Sequence, residues 1–249
     1  MRTRQLLTFL LLGCAGSAYA QSLPNVCHVT SSYDLSVTKD RLIFDRQGPV
    51  PRQVVMGNDA MWVDGQPLQL TTNEQDRINF FQFNARQLIP RVKSVAQYGL
   101  SLASQTIYLD LQNIQLDANS RYQLKQRLNS SIGDLQQRIQ ESQSTRDWHG
   151  DAFNQYANQI VDDITPIVTE GFGTQIAAAT ARGDLSKAAD LTARGADLAT
   201  RLQGDIEQNL QPLQPKIQAL CPTVRQLAEL QQGLRDSRGV PLDLLQLSP

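Results

Sequence analysis

The apolar residues of this chain change their period once, at Thr71, and that change divides it into two kinds of structure. Before Thr71, short apolar runs are separated by turn residues. Val26-Cys27-His28-Val29, Leu35-Ser36-Val37, Arg41-Leu42-Ile43-Phe44 and Val54-Val55-Met56 read as strands, with breaks at Gly48-Pro49 and Gly57-Asn58-Asp59. Ala60-Met61-Trp62-Val63 joins Gln66-Pro67-Leu68-Gln69-Leu70 through Asp64-Gly65, a pair that tolerates the positive φ angles of a two-residue hairpin. Pro67 has no N–H for a ladder, which puts that last strand at an edge. The spacing predicts an antiparallel meander.

After Thr71, apolar residues recur every three or four positions, as on one face of a helix. Thr71-Thr72-Asn73-Glu74 supplies oxygen acceptors for the first free N–H groups. Ile78, Phe81, Ala85, Leu88, Val92 and Val95 then form a stripe that Leu102, Leu109 and Leu116 extend. Pro90 predicts a kink there, or two helices end to end. A second helix opens at Asp117 and carries Leu124, Leu128, Ile132, Leu135 and Ile139. After the polar stretch 142–150 comes a third, with Phe153, Tyr156, Ile160, Ile164 and Ile167, which Gly171-Phe172-Gly173 is expected to end. An Ala-rich helix carries Leu191, Leu198, Leu202 and Ile206. Leu210, Leu213, Ile217, Leu220, Val224, Leu227 and Leu234 then follow a coiled-coil-like spacing that Pro212, Pro215 and Pro222 interrupt. Residues after Gly239 read as a disordered tail.

The first residues belong to neither part. Arg2 and Arg4 precede the apolar run Leu6–Leu12, and Ala18-Tyr19-Ala20 has the small residues that a signal peptidase accepts. The spacing predicts cleavage between Ala20 and Gln21 and export to a bacterial periplasm. The apolar run is too short for a spanning helix, which needs roughly 20 apolar residues. No other long apolar stretch follows, so the mature chain is expected to be soluble and without a transmembrane segment. Leu11-Leu12-Gly13-Cys14 also resembles a lipobox, and the rival expectation is a lipoprotein anchored through Cys14.

Cleavage removes Cys14 and leaves Cys27 and Cys221. Two cysteines in an oxidising compartment predict one disulfide across nearly the whole chain; the alternative is two free buried thiols. Neither sits in a C-x-x-C pair, so redox catalysis and zinc binding gain no support.

Losing Arg2 and Arg4 leaves 21 basic residues against 24 acidic, a net of −3, the wrong sign for nucleic-acid binding. Aromatic residues make up only 6%, which argues against base-stacking or sugar-stacking floors. His28 and His149 are far apart, and no Ser or Cys triad is suggested. Asp147-Trp148-His149-Gly150-Asp151 has metal-ligand residue types, but a polar loop between helices accounts for it. Asp162 and Asp163 are neighbours on a helix and point to different faces. Arg182-Gly183-Asp184 resembles an adhesion tripeptide, for which chance in an Ala-rich helix is the better account. No metal, cofactor or catalytic residue is expected.

One wider pattern is familiar. Cys27-His28-Val29-Thr30 follows the signal at once, and the hairpin Met61-Trp62-Val63-Asp64-Gly65-Gln66 leads through Leu68 and Leu70 into a polar helix cap. Gln-rich helices come next, then Cys221 with Arg225 and Leu227. This resembles the YggN-like family of bacterial periplasmic proteins, whose function is unknown. The resemblance covers most of the mature chain. It implies the compartment and the disulfide, and it offers no catalytic or binding residues to carry over.

The expected fold is therefore α+β. A signal peptide spans 1–20, an N-terminal antiparallel sheet 21–70, an elongated helical region 71–238 and a disordered tail 239–249. The expected function is a non-enzymatic binding or envelope-assembly factor of chaperone-like kind, with an unidentified envelope protein as partner. The alternatives are a hydrolase using carboxylates near Asp147 and Asp151, and the lipoprotein anchored through Cys14.

Overall fold

The computed structural model describes residues 26–113, 116–148 and 150–247, and its class is α+β. The strands are β1 (Val29–Thr30), β2 (Asp34–Val37), β3 (Leu42–Asp45), β4 (Gln53–Gly57), β5 (Ala60–Val63), β6 (Gln66–Pro67) and β7 (Gln246–Leu247). The helices are α1 (Thr72–Asn113), α2 (Ala118–Glu141), α3 (Gly150–Ala181), α4 (Leu185–Asn209), α5 (Leu213–Gln218) and α6 (Cys221–Leu230), with a 3₁₀ turn at Thr145–Trp148.

Strands β2 to β6 pair in chain order, all antiparallel. The turn at Asn58-Asp59 has φ angles of 50° and 59°, and the turn at Asp64-Gly65 has 48° and 78°. Both are the left-handed pair that a two-residue hairpin with right-twisted strands requires. Alternation sends Leu42, Phe44, Val54, Met56, Met61 and Val63 inward. Pro67 closes the far edge in β6. At the other edge the chain after α2 covers β2: Val37 N donates to Gln143 O at 2.8 Å and Leu35 N to Thr145 Oγ1 at 2.9 Å.

Helix α1 lays Ile78, Phe81 and Ala85 on the inner face of the sheet. It opens on a reciprocal cap, in which Thr71 N donates to Glu74 Oε2 at 2.8 Å and Glu74 N to Thr71 Oγ1 at 3.4 Å. Pro90 lies inside a continuous helix of 42 residues, so the kink-or-break expectation resolves to one helix about 63 Å long. It carries the chain from the sheet to a distal end, where Asp117 caps α2. Helix α2 returns to the edge of β2, and α3 and α4 form a second hairpin beside it. Two clusters hold these parts. One joins the sheet, α1, Leu227, Leu234, Leu242 and Leu244; the other joins Leu116, Leu124, Phe172 and Leu191 at the distal end. Each buried side chain contributes roughly 1.5–3 kcal/mol, against about 0–1 for an exposed ion pair such as Arg146–Asp34.

Among the described residues, several cations donate to backbone carbonyls rather than to carboxylates. Arg77 donates to Leu230 O beyond which α6 ends, Arg91 to Ala219 O at the end of α5, and Lys93 to Gln140 O in the last turn of α2. The last carbonyls of a helix lack partners and carry the negative end of its dipole, so α1 pins three helix ends with its positive charges.

Three expectations are corrected. Residues 26–28 do not extend the meander: Val26 and Cys27 form a helical turn, His28 has φ 55°, and β1 pairs with β7 instead of the sheet. Gly171-Phe172-Gly173 does not end α3, which runs to Ala181. Its stop is Gly183, at φ 74°, with Asp184 N donating to Ala179 O and Gly183 N to Thr180 O. The leucine repeat from 210 is interrupted, as its prolines predict. The prolines split it into α5 and α6, and Leu220, Leu227 and Leu234 are buried within this fold. Finally, residues 239–247 are not a disordered tail. Leu242 and Leu244 are fully buried, and Gln231 fastens the segment by accepting from Leu244 N and donating to Leu245 O.

Candidate functional site

Helices α2 and α3 pack against each other and approach closely near Gly171. At Gly171 an added Cβ would lie 2.7 Å from Leu116 Cδ2 and 3.2 Å from Ser120 Cβ, so any side chain here would have to displace Leu116. One turn earlier, α3 presents Pro166 and Ile167, and the helices stand apart around a cleft of about 590 Å³. Helix α2 supplies the facing wall with Tyr122, Gln123, Gln126, Arg127 and Ser130. The heptad-like spacing of these residues puts them on the side of α2 away from buried Leu124 and Leu128.

Ile167 leans on the distal cluster and gives the cleft an apolar floor. Tyr122 is 63% exposed at its lip, and its hydroxyl accepts from Gln126 Nε2 at 3.1 Å. The described polar groups are two amides, two hydroxyls and one guanidinium. Amides both donate and accept, which suits a ligand made of peptide groups.

The residues singled out in the sequence lie elsewhere. Asp147 Oδ2 accepts from Ser142 Oγ at 3.1 Å, Ser144 N at 3.2 Å and Gln143 N at 3.3 Å, so this carboxylate closes the turn after α2. His149, and the side chains of Asp151, Asp162 and Asp163, lie outside the described residues, as do Cys14, Ala20 and Gln21. His28 is exposed in the turn before β1. Arg182-Gly183-Asp184 is the exposed turn between α3 and α4 rather than helix, and Asp184 caps α4 through Lys187 N at 3.0 Å. Among the described residues, no group of three His, Cys, Asp or Glu is placed to hold a metal ion, and no helix is long and apolar enough to cross a membrane. Cys27 and Cys221 stand at disulfide distance, with Cα atoms 5.0 Å apart, and Arg225 Nε donates to Cys27 O.

Sequence reasoning missed the cleft. Its signals were present: Tyr122, an aromatic on a polar helix face, and Pro166, inside an apolar helix. What no pattern revealed is that those two positions face each other.

A family model described as a protein of unknown function, DUF2884, matches residues 27–244. The chain belongs to this family. The match begins at Cys27 and ends at Leu244, the two ends of the buried region described above. No curated protein and no solved structure matches the chain.

Proposed function

We propose that this chain is an exported, non-enzymatic envelope factor of the YggN-like kind that holds an extended segment of another envelope protein. The observation that carries this reading is the α2–α3 cleft. Its apolar floor at Pro166 and Ile167 takes side chains, and the amides of Gln123 and Gln126 pair with peptide groups. Its volume of about 590 Å³ is in the range that accommodates a short stretch of chain. The signal pattern ending at Ala20 and the Cys27–Cys221 pair support export to an oxidising compartment.

The test is suppression of aggregation. An unfolded outer-membrane polypeptide diluted from urea should stay in solution with an equimolar amount of the mature protein. Tyr122→Ala combined with Gln126→Ala removes two exposed cleft side chains and should lose most of that effect while keeping its helical circular dichroism. Equal protection by this variant refutes the cleft reading.

A further inference from the structure

The α2–α3 cleft places an apolar floor and a cation one after the other along α2. Its reference point is the close approach of Gly171 to Leu116 and Ser120. Helix α3 runs back along α2, so Ile167, one turn before Gly171, lies about 6 Å from that approach, level with Gln123 and Leu124. Arg127 lies two turns beyond Ser120, about 10 Å from it on the way to Ser130.

Arg127 carries the only charge among the described residues that line the cleft. Among the described residues it makes no ion pair. The acids of α2 on either side of it are Asp117, whose carboxylate caps the helix, and Asp134, about two turns away. Arg121 and Lys125, the other cations between those two acids, do not line the cleft. Neither does Glu170, the described acid of α3 closest to it in sequence. The cations of α1 that reach helix ends are already committed to carbonyls, whereas Arg127 stands exposed beside amides and hydroxyls. A guanidinium in such a setting selects a carboxylate, which it binds through two parallel hydrogen bonds.

On the reading that this cleft holds an extended segment, we propose that the segment is acidic, laying an apolar side chain on Pro166 and Ile167 and a carboxylate, two positions away, on Arg127. The spacing follows from strand geometry. Successive side chains of an extended chain point to opposite sides, so the adjacent residue faces away from the cleft. The second residue returns to the same side about 7 Å farther on, within reach of a long side chain rooted about 4 Å beyond Ile167. The fourth would fall about 13 Å on, past Ser130 at the end of the wall. The amides of Gln123 and Gln126 remain for the peptide groups between. A small free anion would use Arg127 alone and leave the apolar floor empty.

Fluorescence anisotropy with the mature, oxidised protein tests this on two labelled peptides, at protein concentrations up to the millimolar range. One has Asp two positions to either side of a central Leu, which covers both chain directions; the other has Asn at those positions. The Asp peptide should bind about tenfold more tightly at low salt, and its advantage should shrink as salt rises. Arg127→Glu should abolish that advantage and favour a peptide with Lys at the same positions. Lys125→Glu makes the same change of charge on the same helix outside the cleft and should keep most of the advantage. Circular dichroism of each variant confirms that the fold is kept. Equal binding of the Asp and Asn peptides overturns the charge selection and leaves the peptide-holding reading in place. Binding of neither peptide overturns both. An advantage that survives Arg127→Glu, or that Lys125→Glu removes equally, overturns the assignment to Arg127.

Discussion

Replacing Cys27 and Cys221 by Ala should remove a large part of this protein's stability. Their Cα atoms are 5.0 Å apart across a sequence separation of 194. In the chain-entropy description, cross-linking a loop of that length removes freedom from the unfolded chain worth about 5 kcal/mol. Total stabilities run at roughly 5–15 kcal/mol, so the cross-link is a large share of the whole. The folded state should lose less. Leu242 and Leu244 keep their places beside Leu227 and Leu234, and α1 keeps its contact with the sheet. The helices should therefore survive while resistance to denaturant falls. With a urea slope of roughly 2–3 kcal/mol per molar, the midpoint should drop by about 2 M. Urea titration followed by circular dichroism, on oxidised, reduced and doubly substituted protein, measures this. Labelling of denatured but unreduced protein must first find no free thiol. Two reactive thiols per chain refute the bond, and coincident unfolding curves refute the entropic argument.

Two glycines only two residues apart should respond to alanine with opposite signs. Gly171→Ala drives a Cβ to 2.7 Å from Leu116 Cδ2 and should destabilise by about 1–3 kcal/mol, whereas Gly173→Ala meets nothing within 4 Å and should gain up to about 1 kcal/mol of helix propensity; urea midpoints decide. Leu244→Ala should cost about 2–5 kcal/mol by leaving a cavity in the sheet cluster, against near zero if residues 239–247 were a loose tail. Asp236 is held below the ordinary carboxylate value by the hydrogen bond from Val240 N, and further by Arg238. A depressed folded value means that this contribution is present above the unfolded value near 3.8 and is lost as pH falls through the lower folded one. Thermal midpoints of the wild type should therefore fall more steeply below pH 4 than those of Asp236→Asn.

The parts of the fold that were legible in the sequence are those governed by local pattern. The Asp64-Gly65 hairpin, the Thr71–Glu74 cap and the Asp117 cap each depend on residues within a few positions, and each stands where the pattern puts it. The misreadings share a different cause. Gly171 reads as a helix stop because glycine weakens helices, yet here its missing side chain serves contact with Leu116, a residue 55 positions earlier. Leu242 and Leu244 read as tail because they are few and follow Gly239, yet the sheet cluster covers them. The candidate cleft was hidden for the same reason: its walls, at Tyr122 and Pro166, are brought together by packing and not by any spacing along the chain.

The central claim is that the α2–α3 cleft holds a segment of another envelope protein, and site-specific photo-crosslinking in living cells tests it most directly. A photoreactive phenylalanine replaces Tyr122 at the lip of the cleft or, as a control, Lys125, an exposed α2 residue that does not line it. The account predicts discrete, heavier crosslinked species from position 122 that are absent or much weaker from 125. Equal crosslinking from both positions, or none from position 122 in a correctly exported and folded protein, would contradict it.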